Sequence, residues 1–372
     1  MPTNAMLSKT AKNDVVLGRQ IAFFAAFVLP VYKLLEVPSL LARFAGGDLL
    51  LPALLHFILQ TGLLIALLYA ASKSEKTLLE RMNEKLGRWS LLLYGLYAVW
   101  FLFAAVLPLL DLEKFVYAVF YDTSPTIFSF ALFFVFSAFL CCKGIKATGR
   151  IADLSLFLFL LPFIALLVMS LNEADVNNLL PVFQRPFNHT VSAFTYTAPH
   201  FSDLLFLMPL IVNLRFQKND GKKIVAGYAG GALCTLVFLA VFYGVYSTIA
   251  PREHYAFSKI AQYFPVLSVV GRIDLLFVYM LCIVLFFFTA TPLHYATESI
   301  AHITDAKGKI LISGILNFAA FLFVLFCNKY YDAIYAFFGE RFYYAFFLFS
   351  DLAPLFLLFL IPKKEKNDAE HA

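Results

Sequence analysis

Two prolines and two charged residues interrupt the first long apolar stretch of the chain. Pro30, Lys33, Glu36 and Pro38 lie within residues 18–45, which are otherwise mostly aliphatic and aromatic. A proline removes a backbone donor and clashes with the preceding turn, so a helix here is expected to kink or unwind. Inside a bilayer such a break is tolerated where it lines a cavity, and a charge there must pair or face water. The candidate ligand-binding residues are Pro30, Val31, Tyr32 and Lys33, and Lys33 and Glu36 are candidates for an ion or proton path.

The sixth apolar stretch is interrupted as well. Residues 191–215 carry hydroxyls, a proline, a histidine and a carboxylate, whereas most other stretches contain few polar residues. Transporters built from internal repeats place their substrate between two such breaks. Half-helix ends there offer free N–H groups to a ligand carboxylate and free carbonyls to an amine or cation. The candidate ligand-binding residues of this stretch are Tyr196, Thr197, His200 and Asp203.

The composition identifies an integral membrane protein. Apolar residues make up 61% of the 372, charged residues only 14%, and Phe alone accounts for 44. No soluble domain of this length needs so much apolar surface. The five cysteines lie in or beside apolar stretches without metal-ligand spacing, and no nucleophile motif or phosphate loop is present. We therefore expect no enzyme activity, no cofactor, no metal and no nucleic-acid partner.

Ten apolar stretches are long enough to cross a bilayer, which takes about 20 helical residues. Most of the 29 Lys and Arg residues fall in alternate connections and both tails. The positive-inside rule places those connections, and therefore both termini, in the cytoplasm. Two outer connections, 172–190 and 250–270, mix apolar residues with turn formers and predict short interfacial helices. The predicted spans are 18–45, 49–71, 89–110, 124–142, 151–171, 191–215, 224–249, 273–297, 309–328 and 342–361.

The two interrupted spans are the first and sixth of ten, which are corresponding positions in two halves of five. This placement predicts a single polytopic membrane domain over 1–372, with one repeat at about 18–171 and a second at about 191–361. The fold class is all-α, with ten transmembrane helices in a five-plus-five inverted repeat and helices 1 and 6 discontinuous. Inverted-repeat transporters show this pattern.

Several stretches in a characteristic order resemble the spore-germination permeases, the B-type subunits of germinant receptors, within the amino acid–polyamine–organocation transporter superfamily. The resembling stretches, spread over nearly the whole chain, are Gln20, Pro38 with 45–48, 76–78, 86–87, 143–153, 178–182 and 271–277.

The resemblance implies the LeuT-like fold and a membrane subunit that binds a small, amino acid-like germinant between helices 1 and 6 and triggers germination. The implied partners are an A-type subunit and a C-type lipoprotein, and the implied location is the spore inner membrane. Two alternatives stay open: a proton-coupled secondary transporter of amino acids or amines, and a scaffold that only assembles partner subunits. Where such permeases carry small residues in the unwound part of helix 1, this chain has Val31-Tyr32-Lys33. The family's acidic position in helix 6 is met by Asp203.

Lys33 is the sharpest candidate because its ammonium would bind a ligand carboxylate, take the place of a coupling cation or shuttle a proton. The structural alternative is an ion pair with Glu36. Asp203 would be its partner or would bind a ligand amine, and it is also a candidate for the ion or proton path. In this fold the cavity-facing candidates on spans three and eight are Tyr97, Phe101, Thr289 and Thr291, the further candidates for a proton path are Glu298 and Asp351, and an interfacial pair is expected between Asp153 and Arg150.

Overall fold

The structure is a computed structural model that describes residues 16–73, 83–120, 126–180, 182–263, 274–306, 308–328, 330–337 and 343–352. Within these ranges the chain is helical, and the one β-type contact is an isolated bridge between Val16 and Leu214. Among the residues that the structure describes, five helices are long and apolar enough to cross a membrane, and a bent pair of helices at residues 18–48 would make a sixth. The protein is therefore a multi-pass membrane protein.

The helices up to residue 180 are α1 (Gly18–Tyr32), α2 (Val37–Ala45), α3 (Leu50–Ser72), α4 (Trp89–Ala104), α5 (Val106–Phe120), α6 (Thr126–Cys142) and α7 (Ile145–Leu171). Those that follow are α8 (Phe187–Thr197), α9 (Asp203–Val212), α10 (Asp220–Tyr246), α11 (Ala256–Tyr263), α12 (Asp274–Ile303), α13 (Ile310–Asn328), α14 (Tyr331–Ala336) and α15 (Tyr343–Phe346). Short 3-10 turns occupy Gly46–Asp48, Val176–Leu179, Ala198–Phe201 and Ser247–Arg252. The last predicted span, 342–361, is described only as far as Leu352.

The chain changes direction at the prolines that the sequence marked. The axes of Gly18–Tyr32 and Val37–Asp48 differ by 63° across the four residues between α1 and α2. A π-helical turn at Phe24–Val28 precedes Pro30, and there the Leu29 N–H donates to the Phe24 carbonyl. The wide turn and the proline both weaken the regular ladder just before the break.

The third predicted span does not end at residue 110. It runs from α4 into α5 and continues to Phe120, with an irregular residue at Ala105. Pro108 explains the irregularity, because without an N–H it cannot bond the carbonyl of Ala104 one turn earlier.

Helix α10 lies directly against the backbone of α1. A Cβ atom on Gly231 would stand 2.8 Å from the Ala25 carbonyl oxygen, and one on Gly227 would clash with the Ala22 carbonyl oxygen. Glycines spaced by four residues let two membrane helices approach to backbone contact. The same helix carries Tyr228 and thereby fixes that side chain's position relative to the end of α1.

At the opposite end of α1 the chain is tied to α7. The Arg19 guanidinium lies 3.4 Å from the Asp153 carboxylate. The expected pairing of Asp153 with Arg150 is therefore wrong. Arg150 is one turn from Asp153 on α7, but the guanidinium that contacts the carboxylate is that of Arg19 on α1.

We predict that Gly227→Ala destabilises the bundle by about 1–3 kcal/mol, the usual cost of overpacking, because the new methyl group meets backbone. Gly230→Ala is the matched control, since nothing lies within 4 Å of a Cβ at that position. Thermal unfolding of the purified protein in detergent measures both. Equal melting temperatures for the two variants would contradict the close α1–α10 contact.

Candidate functional site

The two interrupted segments meet at a buried ion pair. Helix α1 ends at Tyr32, and α9 begins at Asp203 after the 3-10 turn Ala198–Phe201. The Lys33 ammonium contacts the Asp203 carboxylate, and their side chains are only 2% and 4% exposed. The pair thus joins two residues 170 positions apart in the chain. Lys33 pairs with Asp203 and not with Glu36, so the alternative pairing considered from sequence is wrong.

Each charge of the pair lies at the helix end that favours it. Lys33 follows the last residue of α1, where the helix dipole attracts a cation, and its ammonium also lies 3.4 Å from the Leu29 carbonyl. Asp203 is the first residue of α9, where the dipole attracts an anion. The second oxygen of Asp203 accepts a 2.7 Å hydrogen bond from the Tyr228 hydroxyl. Both partners of this desolvated pair are therefore hydrogen-bonded, the condition under which a buried ion pair is tolerated.

A second carboxylate, that of Asp111, lies beside the first break and contacts Tyr32, the last residue of α1. The Tyr32 hydroxyl donates to Asp111 at 2.6 Å, and the Tyr331 hydroxyl donates to its other oxygen at 3.5 Å. The His200 Nε2 atom is 3.9 Å from Asp111. The Tyr32 ring stacks on His200 and on Phe288, with centroids 5.4 and 4.8 Å apart. Neighbouring residues Tyr32 and Lys33 thus bind two different buried carboxylates.

A small cavity lies beside the break, and two of its lining residues, Tyr32 and His200, contact Asp111. Its volume of about 10 Å³ holds about one water molecule. Its lining residues are Tyr32, Ala104, Pro108, Pro199, His200, Ser202, Leu205 and Phe206. The polar lining comes from the two interrupted segments. Because Pro108 has no N–H, the carbonyl of Ala104 in the lining lacks its usual helical donor.

Three backbone groups at the breaks already have partners, whereas the sequence predicts backbone groups there that are free for a ligand. The N–H groups of Ala256 and Phe257, at the start of α11, donate to the carbonyls of Leu35 and Leu34 at 3.0 and 3.1 Å. The Leu204 N–H at the start of α9 donates to the Gln60 side chain at 3.1 Å. Part of the connection expected to lie in the membrane interface therefore packs on the bundle and caps the first break.

Gln60 also extends the polar network inward. Its amide nitrogen donates to the Asp351 carboxylate at 2.7 Å, so the start of α9, Gln60 and Asp351 form one connected set. His56 lies one turn before Gln60 on α3, and its ring contacts the Thr197 hydroxyl at 3.2 Å. Helix α3 therefore directs two polar side chains at the second interrupted segment.

The remaining candidates fall into two groups. Val31 and Thr289 are buried, and the Thr289 hydroxyl donates to the Leu285 carbonyl. The Phe101 ring stacks on Tyr97, with centroids 5.9 Å apart, and packs against the tilted ring of Tyr295 at 5.2 Å. These side chains pack in the bundle near the breaks and do not line the described cavity.

Three further candidates lie apart from the cavity. Tyr196 is 37% exposed and stacks on Phe44 at 4.5 Å. Pro30 faces the backbone of α10, where it would lie 2.9 Å from a Cβ on Gly231. Glu298 bonds the Lys309 ammonium at 2.6 Å.

Sequence analysis missed Asp111, Gln60, Tyr228 and Tyr331. A signal was available for Gln60, because it and His56 are spaced i, i+4 and so share one face of a mostly apolar helix. Asp111 lies just beyond residue 110, the predicted end of the third span. Tyrosines are common in this chain, 19 in all, so those that bond carboxylates do not stand out in the sequence.

The fold is that of a membrane transporter. A solved structure of a mutant manganese transporter from Eremococcus coleocola superposes with a TM-score of 0.57 at 13% identity, covering 96% of this chain and 79% of that one. At this identity the similarity establishes the fold alone. Among the described residues, no group of three or more His, Cys, Asp or Glu side chains is placed to hold a metal ion.

The chain belongs to the spore permease family. The model of that family, described as spore germination protein, matches residues 49–332. Spore germination protein KB of Bacillus subtilis is 30% identical over 226 residues, which are 59% of this chain and 60% of that protein. The alignment thus covers less than two thirds of that relative. The family match begins just after α2, so the Lys33 segment lies outside it.

We predict that the stability effects of substitutions at Lys33 and Asp203 are coupled by several kcal/mol. Lys33→Met should cost about 3–5 kcal/mol, because it leaves a buried carboxylate uncompensated, whereas Lys33→Met with Asp203→Asn should recover most of that loss. Lys259→Met is the control, since its 3.8 Å contact with Glu253 is half-exposed and worth at most about 1 kcal/mol. Melting temperatures in detergent test the cycle. Additive losses for the two single changes would contradict the pair.

Proposed function

We propose that this chain is the membrane subunit of a spore germinant receptor, in which a small amino acid-like germinant binds between helices 1 and 6 and triggers germination. The observation that supports this most directly is the buried Lys33–Asp203 pair, which connects the two breaks beside a polar cavity. Membership of the spore permease family and the transporter fold point the same way. The proposal includes ten spans in a five-plus-five inverted repeat, with repeats at about 18–171 and 191–361.

Binding would act by shifting a two-state bundle. In the described structure the ion pair, the capped carbonyls and the small cavity leave little room between the breaks. A germinant must therefore separate the two interrupted segments, which are the first and sixth predicted spans. It shifts the equilibrium only by the difference between its affinities for the two states. Because α11 bonds the carbonyls of the first break, a movement there is passed to the outer connection. We propose that A-type and C-type subunits in the spore inner membrane respond to this movement, with both termini of this chain in the cytoplasm.

The second candidate function is proton-coupled transport of amino acids or amines. Two buried carboxylates favour it: Gln60 bonds both the Asp351 side chain and the Leu204 N–H, which is next to Asp203 in the chain. Buried carboxylates in series commonly form proton relays. The transporter fold also fits. In this alternative Lys33 takes the place of a coupling cation.

We predict that spores carrying Lys33→Met with Asp203→Asn germinate at least about 10-fold more slowly in a nutrient mixture than wild-type spores, although the variant protein is stable. Lys259→Met spores are the control and should respond normally. The fall in optical density of the spore suspension gives the rate, and immunoblotting of spore membranes gives the amount of protein. A normal response of the neutral-pair variant would remove the pair from the function.

Uptake by the purified protein in liposomes separates the two candidate functions. A receptor subunit should not accumulate radiolabelled amino acids when a proton gradient is applied, whereas a proton-coupled transporter should accumulate them and lose them when the gradient is dissipated. Accumulation without partner subunits would refute a purely sensing role.

A further inference from the structure

The structure assigns a chemical class to the germinant: we infer that its recognised charge is an ammonium, bound by Asp111, and not a carboxylate bound by Lys33. This inference rests on the proposed function, because it takes the cavity between the two breaks as the germinant site. It excludes one of the three roles predicted for Lys33, the binding of a ligand carboxylate.

The charge of the Lys33 ammonium is already neutralised inside the protein. Its ammonium contacts Asp203 and lies near the Leu29 carbonyl. A ligand carboxylate would have to displace Asp203 from a position where the Tyr228 hydroxyl and the start of α9 both stabilise it. The displaced carboxylate would then be buried without a cation, which costs several kcal/mol.

Asp111 is in the opposite situation. It is 1% exposed, and among the described residues it contacts two tyrosine hydroxyls and the His200 imidazole but no Lys or Arg. Lys33 is also the only Lys or Arg that is buried in the described part of the chain. A buried carboxylate is stabilised most strongly by a cation. A ligand ammonium would supply that charge.

The cavity is separated from this carboxylate by side chains that contact both. Tyr32 and His200 line the cavity, and both lie within 4 Å of Asp111 through their polar atoms. Pro108, another lining residue, precedes Asp111 by three positions on α5, which places both on one face. An ammonium in the enlarged cavity would reach Asp111 past the edge of the Tyr32 ring, and the Ala104 carbonyl offers a further acceptor.

The inference predicts which parts of an amino acid are needed. An amino acid amide keeps the ammonium and lacks the carboxylate, whereas an N-acetyl amino acid keeps the carboxylate and lacks the ammonium. We expect amides to bind within a few-fold of the parent amino acids and N-acetyl derivatives not to bind. Loss of a hydrogen-bonded charge partner corresponds to about 10- to 100-fold in affinity.

The test measures the thermal stabilisation of the purified full chain by the twenty amino acids, their amides and their N-acetyl derivatives. Asp111→Asn should weaken stabilisation by the amino acids and amides about 10- to 100-fold, whereas Glu253→Gln, at a partly exposed carboxylate, should not change it. Stabilisation by N-acetyl derivatives, failure of all the amides, or full stabilisation of Asp111→Asn would each overturn the inference. Where Asp111→Asn does not fold, the derivative series on the wild-type protein still separates ammonium from carboxylate recognition.

Failure of the ammonium inference can be distinguished from failure of the proposed receptor function. If no compound stabilises the wild-type protein, the ammonium inference is refuted, whereas slow germination of the neutral-pair spores would still support the receptor. If the amides bind and the neutral-pair spores germinate normally, the class of ligand stands and the proposed role of the Lys33–Asp203 pair falls.

Discussion

An ammonium group buried among apolar helices must be neutralised, and the arrangement around the first break follows from that requirement. Lys33 is 1% exposed, so its charge needs a partner inside the bundle. Asp203 supplies it from another segment, and the end of α1 and the start of α9 supply dipoles of the matching sign. The pair can form only if both helices stop at this depth. The prolines and the 3-10 turn Ala198–Phe201 make them stop there.

The same region also bonds backbone groups at both breaks. The carbonyls of Leu34 and Leu35 are bonded to α11, and the Leu204 N–H is bonded to Gln60. In repeat-based transporters such groups bind substrate and ions. Here the polypeptide itself occupies them, and Lys33 and Asp203 neutralise each other at the two helix ends. A ligand that binds between the breaks must therefore compete with these internal contacts.

The sequence was informative where a polar residue interrupts an apolar run. Lys33, His200 and Asp203 could be found in this way, because charge and proline are rare and costly in membrane helices. Asp203 could be named only as one of two possible partners of Lys33, beside Glu36, since nothing in the sequence fixes the depth or rotation of one segment against another. Tyr196 illustrates the second limit: it lies in the interrupted segment, yet the rotation of α8 directs it to Phe44. The capping of the first break by α11 depends on where this connecting helix packs, and the spacing of apolar residues does not predict that position.

The central claim, that a germinant binds between the two breaks, is tested most directly by ligand protection of a cavity residue. Ser202 lines the cavity and is 3% exposed, so a cysteine placed there in an otherwise cysteine-free chain reports on that space. Spore membranes with Ser202→Cys are treated with a small maleimide, with and without the nutrient mixture that germinates the wild-type spores. Gly230→Cys, at a position with open surroundings, is the control. The nutrients should change the labelling rate at residue 202 several-fold and leave that at residue 230 unchanged. Equal labelling of residue 202 in both conditions would contradict binding between the breaks.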